Sequence, residues 1–113
     1  MENSKGSDRR KTQRFVRPIE LSFSDGSRFF TDFIRDISVG GLQIESSKPL
    51  GIGTDLTITL ATNPPVKLKG KVRWEAKDGI KYKMGVQFSD LTPEQESRIR
   101  QVIQSLFWEV YQK

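Results

Sequence analysis

"VKLKGKVRW", residues 66–74, decides what kind of chain this is. Val66, Leu68, Val72 and Trp74 fall on alternate positions, the period of a strand with one buried face. Gly70 takes the remaining position on that face, which implies a bulge or the close approach of another stretch of backbone.

The same period recurs on either side. "DLTITL" (55–60) alternates Leu56, Ile58 and Leu60 with polar residues, and Asn63-Pro64-Pro65 separates it from the opening stretch. Downstream, "KDGIK" (77–81) turns the chain into "YKMGVQF" (82–88). Nearer the start, Ile19, Leu21 and Phe23 alternate, "SDGS" (24–27) supplies turn chemistry, and "RFFTDFIRDI" (28–37) reads as a second strand. "GLQIE" (41–45) is a third, with Leu42 and Ile44 facing one way, and "KPLGIGT" (48–54) is a Pro/Gly loop. Six short strands joined by Gly, Asp and Pro turns predict an antiparallel barrel or sandwich, a mainly β fold.

The last segment changes period. Thr92 precedes Pro93 and has Gln95 three residues on, a capping-box arrangement at a helix start. Ile99, Val102, Ile103, Leu106, Phe107 and Val110 then fall on one helical stripe. This predicts a helix closing one end of the sheet; the sharper alternative is a partner-binding or dimerising helix, with Trp108 and Tyr111 beside the stripe. The expected division is a flexible basic arm at 1–14, a β-barrel at 15–91 and a helix at 92–113.

Composition fits one small domain. Of 113 residues, 35% are hydrophobic and 29% charged, which suits a sheet with one wet face and a polar tail. The net charge of +5 is concentrated at the start. Residues 1–17 carry Lys5, Arg9, Arg10, Lys11, Arg14 and Arg17 against Glu2 and Asp8, and the remainder is almost neutral, so an anionic partner belongs at that segment. With no cysteine there is no disulfide, thiolate nucleophile or soft metal site, and with no histidine the commonest general base is missing. Neither a secretion signal nor an apolar run of membrane-spanning length is present, so a cytoplasmic location is expected.

The loop Arg35-Asp36-Ile37-Ser38-Val39-Gly40-Gly41 holds more chemistry than a turn needs. Taken alone it reads as a type I turn with Asp36 capping backbone amides and a glycine at positive φ. Taken with the N-terminal arginines it reads differently. A glycine pair lets a ligand approach the main chain and leaves N–H groups for an anion, while a carboxylate suits a purine N–H edge. Arginine grips both phosphates and the O6/N7 edge of guanine. Together these residue types point to a guanine nucleotide carrying phosphate.

Two motifs carry a resemblance. Arg10-Lys11-Thr12-Gln13-Arg14 has the form RxxxR, and Asp36-Ile37-Ser38-Val39-Gly40-Gly41 has the form DxSxxG. In that order, separated by one strand pair and followed by "GKVRW" and "MGVQF", they resemble the PilZ domain, a bacterial receptor module for cyclic di-GMP. The resemblance spans residues 9–107 and implies a six-stranded antiparallel β-barrel of the split-barrel type with a C-terminal helix. It further implies that Arg10 and Arg14 grip guanine edges and phosphates, and that Asp36, Ser38, Gly40 and Gly41 meet a base and the sugar–phosphate ring. Arg9 extends the motif to RRxxxR, a form associated with an intercalated ligand dimer. Trp74 matches a position that stacks on ligand in some members; packing at the barrel end is the other reading.

The expected protein is thus a non-enzymatic second-messenger receptor without a cofactor, whose arm orders on binding cyclic di-GMP. It would act on a separate protein in motility, secretion, exopolysaccharide or transcription control. Two alternatives remain: a small barrel binding nucleic acid, against which the tail-centred charge and Asp36 count, and an adaptor of the same fold working through protein contacts alone.

Overall fold

The computed structural model describes residues 19–111, with side chains through Leu106. The basic segment bearing Arg9, Arg10 and Arg14 lies outside the described residues. Six strands precede one helix: β1 (Glu20–Ser24), β2 (Phe29–Phe33), β3 (Gly41–Ser46), β4 (Asp55–Leu60), β5 (Val66–Asp78), β6 (Lys81–Ser89) and α1 (Pro93–Tyr111). They form one sheet in the order β2-β1-β4-β5-β6-β3, with every pairing antiparallel. The sheet curls into a half-barrel, so the expected mainly β architecture is the one observed.

Curling follows from the residue pattern. Inward positions of five strands are apolar (Leu21 and Phe23, Ile44, Ile58 and Leu60, Leu68 and Val72, Met84), and all of these are fully buried. A single twisted sheet removes such a face from water only by bending around it. Gly70 sits where the bend brings chains together. A Cβ there would lie 2.6 Å from Val86 Cγ1 and 3.1 Å from the Gln87 carbonyl oxygen, so its place in the strand reflects close approach. The two end strands meet at the seam, where the Glu45 N–H of β3 donates to Asp32 Oδ2 of β2 at 2.9 Å. Arg35 donates to the same oxygen at 2.7 Å. That bond raises the Arg35 pKa above its ordinary value and commits the guanidinium to the seam.

The helix closes one end of the half-barrel. Its capping box forms as the sequence predicts: the Thr92 N–H donates to Gln95 Oε1 at 2.8 Å and the Gln95 N–H to Thr92 Oγ1 at 3.1 Å. Gln95 Nε2 also donates to the Lys67 carbonyl, tying the first turn to β5. Ile99, Val102 and Leu106 are buried in the core. Ile103 is half-buried against the same core, and the side chains of Phe107 and Val110, the remainder of the expected stripe, lie outside those described.

Two elements differ from their sequence reading. β2 ends at Phe33 rather than continuing to residue 37, because β1 offers no partner beyond Glu20. The Ile34 N–H bonds to the Ile19 carbonyl, and the chain then crosses to a single bridge between Ile37 and Leu42. β5 and β6 in turn run past 74 and 82 to meet at Asp78 and Lys81, leaving a two-residue turn with Gly79 at φ 65°.

Ile58 lies at the centre of the buried face with no exposed surface. Replacing it with alanine removes apolar contacts and leaves a void, so Ile58→Ala should lower unfolding stability by about 2–5 kcal/mol, read as a fall in the urea midpoint. At the β1–β2 turn the Asp25 carboxylate accepts the Ser27 and Arg28 N–H groups and the Arg28 guanidinium. These bonds, the backbone ones foremost, lower its pKa to about 2. A depressed acid stabilises the fold fully above its unfolded value of about 4 and loses that contribution as pH falls towards 2. A carboxyl-detected NMR titration should place the Asp25 midpoint near that lower value, and Arg28→Ala should move it upward.

Candidate functional site

The candidate site exists because β5 changes phase. Val72 pairs with Val86, but the next pairing is Trp74 with Gly85, so Arg73 is an extra residue in a β-bulge. Strict alternation would put Trp74 inward beside Val72. The bulge turns it to the outer side of the sheet, where it is 44% exposed. There its indole covers Gly85, and a Cβ at that position would overlap the ring. Glycine on β6 is thus the floor on which Trp74 lies.

Beside the indole is an open depression of about 300 Å³ lined by Asp36, Ser38, Gly41, Gln43, Arg73, Trp74 and Gln87, among others. Four of the residues singled out from sequence therefore converge, although Trp74 lies 38 positions from Asp36 in the chain. Arg73 Nε donates to Gln87 Oε1 at 2.6 Å, which holds a guanidinium at the margin of the depression.

The loop from Asp36 to Gly41 is built by Ser38. Its N–H donates to the Gly41 carbonyl at 2.8 Å, and its Oγ accepts the Gly40 N–H at 3.3 Å. The Gln43 N–H donates to the Asp36 carbonyl at 3.0 Å and closes the loop's base. Asp36 is exposed and lines the depression, and among the described residues its carboxylate has no hydrogen-bond partner. The amide-capping role expected of Asp36 belongs to Ser38.

The two glycines do different work from that expected of a free pair. Neither is at positive φ. A Cβ on Gly41 would strike the Val86 carbonyl, so this glycine is needed for β3 to lie against β6. Gly40 has nothing within 4 Å of where a Cβ would stand, but its N–H is bonded to Ser38 and its carbonyl accepts the Phe88 N–H at 2.8 Å. Gly40 does not line the depression.

Arg73, Gln87, Gln43 and Gly85, with the buried Leu42 and Val86 beneath them, are the lining residues that sequence reading did not assign to a site. Arg73 and Gln87 stand in "GKVRW" and "MGVQF", stretches in which the apolar residues alone attract attention. Nothing in the local sequence marks the bulge, since Gly70, the one residue suggesting it, serves another purpose. Among the described residues no cluster of three metal-ligating side chains occurs, and no helix is long and apolar enough to cross a membrane.

A single curled antiparallel sheet, closed at one end by a helix and bearing a loop-flanked polar depression outside, defines a class of small β-domains. The chain belongs to the PilZ domain family, whose model matches residues 8–105. Comparison with curated proteins finds no match. Among solved structures, the PilZ domain of Escherichia coli YcgR with c-di-GMP aligns with a TM-score of 0.67 at 17% identity, covering 84% of this chain and 86% of that one. The PilZ domain of CeSA from a cellulose-synthesising bacterium aligns at 0.59 and 22%, covering 81% and 92%. Klebsiella MrkH aligns at 0.69 and 19%, covering 88% of this chain but 48% of its own, and Bacillus subtilis MotI at 0.64 and 15%, covering 76% and 45%. The chain thus spans about half the length of these last two proteins, and the likeness to all four is one of fold.

The stacking of Trp74 on Gly85 can be tested directly. In a Trp108→Phe background, Gly85→Ala should swing the indole into water and shift its emission to longer wavelength, with the fold retained because the displaced group is an exposed side chain. Gly41→Ala, which meets main chain, should instead lower the melting temperature.

Proposed function

We propose that this protein is a receptor for cyclic di-GMP, seated in the depression between the Asp36–Gly41 loop and Trp74 and clasped by Arg10 and Arg14 from the N-terminal segment. The observation that carries this reading is the convergence of Asp36, Ser38, Gly41 and Trp74 on one surface. The roles follow from chemistry. Asp36, with no competing partner among the described residues, accepts hydrogen bonds from a guanine N–H edge. Trp74 offers a ring for stacking, and Arg73 a cation at the rim.

The point at which the described chain begins supports the part given to the arginine segment. Residue 19, where the described chain starts, is bonded to Ile34, two residues before Asp36. Arg14 lies five positions before Ile19, an extended reach of about 16 Å, enough to bring its guanidinium over the loop. Ordering the five residues of RxxxR costs on the order of 5–10 kcal/mol. One charged hydrogen bond returns about 1.5–3 kcal/mol and one stacked base about 1–3 kcal/mol. A compact ligand with two guanines and two phosphates presents enough partners at once, and free phosphate does not. In this reading Arg9, which extends the motif to RRxxxR, holds a second, intercalated ligand.

The output is a changed surface: the segment, once ordered, is presented to a separate protein. The family and the c-di-GMP-bound YcgR neighbour support a receptor rather than an enzyme. Consistent with that, the Ser38 hydroxyl is engaged within its own loop and has no histidine to activate it.

Calorimetric titration with cyclic di-GMP should give saturable binding at micromolar concentration or below. Arg10→Ala, Arg14→Ala and Asp36→Ala should each weaken it at least tenfold with the circular dichroism spectrum unchanged. Folded wild-type protein that takes up no ligand would overturn the reading.

A further inference from the structure

The outer side of the sheet carries a feature that summed charge conceals. Residues 18–113 hold nearly equal numbers of acids and bases, yet β5 turns Lys67, Lys69, Lys71 and Arg73 to the same side, opposite buried Val66, Leu68, Gly70 and Val72. Successive alternate residues of a strand stand about 6.6 Å apart, so the row runs about 20 Å along the sheet. Its neighbours across the ladder are hydroxyls and an amide. Thr59 flanks Lys67, Thr57 and Ser89 flank Lys69, and Gln87 stands beside Lys71. Acids intrude on one side: Asp55, 80% exposed, pairs with Lys71 at 3.2 Å, and Asp25, already paired with Arg28, and Asp90 line the same open hollow as Lys69. Lys67 and Lys69 have no ion pair among the described residues.

We infer that this row is a docking surface for the phosphate backbone of a nucleic acid, centred on Lys67 and Lys69; only its last member, Arg73, also lines the depression around Asp36 and Trp74. Charge complementarity requires a polyanion, and the composition of the face selects which kind. Protein interfaces are centred on buried apolar or aromatic anchors. The outward positions of β4 and of β5 from 67 to 73 supply none; the exposed aromatics stand off the row, Trp74 past Arg73, and Phe29 and Phe33 three strands away on β2. Lysines interleaved with hydroxyls are instead the donors that hold phosphates, positioning a strand without reading its bases. The row lies in the strongest-paired part of the sheet, on a central strand with partners on both sides, so the cations are held in fixed register. Binding is therefore expected to be independent of sequence and steeply salt-dependent.

The test uses the full chain and a fluorescein-labelled 20-base-pair DNA duplex of arbitrary sequence, with anisotropy measured between low and physiological salt. Wild-type protein should bind, with log K falling linearly in log salt. Lys67→Gln/Lys69→Gln, two exposed changes away from the depression, should weaken binding at least tenfold and reduce the salt slope by about 2, one for each phosphate no longer neutralised. Its melting temperature should stay as in the wild type. A second duplex of unrelated sequence should behave alike. The inference fails if the wild type does not bind the duplex at low salt, or if the double variant binds as well as the wild type and any affinity comes from elsewhere in the chain. It also fails if polyglutamate of equal charge competes as strongly as unlabelled duplex, which would make the occupant an acidic protein.

Discussion

A lone sheet must hide one of its faces, and everything in this fold is arranged around that requirement. There is no second sheet to pack against and only one helix among the described residues, so the sheet itself supplies both sides of the core by bending until β2 and β3 meet. The interior is then narrow. That is why Gly70 stands where a β-carbon would run into a neighbouring strand. The one end left open needs a lid, and Ile99, Val102 and Leu106 of α1 provide it, anchored through Gln95 to β5. The outer surface is relieved of any part in the core.

On that surface the bulge at Arg73 divides two kinds of chemistry. Before it, alternate residues of β5 are cations in an even row. After it, the phase has slipped by one and an indole faces outward over Gly85. A single inserted residue thus turns a position that alternation assigns to the core into a wall of the depression. Trp74 need not choose between packing and exposure: it packs against glycine on one side and leaves the other open.

Much of this was legible in the chain. Alternation in Leu56–Leu60 and Val66–Val72 is unbroken, and both strands appear where the period puts them, because paired central strands allow little deviation. Thr92, Pro93 and Gln95 marked the helix start for an equally local reason, since the cap is made by those residues themselves. What escaped was whatever depends on a partner strand. The early end of β2 is set by where β1 begins, the bulge by the register with β6, and the roles of Gly40 and Gly41 by how β3 lies on β6. The basic row escaped for a different reason, since a near-zero sum over the domain says nothing about which side of a strand each charge faces. The arginine motif lies outside the described residues, so its part rests on sequence and on where the chain enters at Ile19.

The contact between Asp32 and the Glu45 amide has a bearing on life in a crowded solution. An open six-stranded sheet has two terminal strands whose unpaired amides and carbonyls can recruit further chains. Here those two strands are the ones the curl brings together, and a carboxylate rather than a neighbouring molecule takes up an edge amide. Phe29 and Phe33, both exposed on β2, would make an unguarded edge adhesive. By spending one aspartate on the seam, the fold turns its most aggregation-prone boundary into an internal joint.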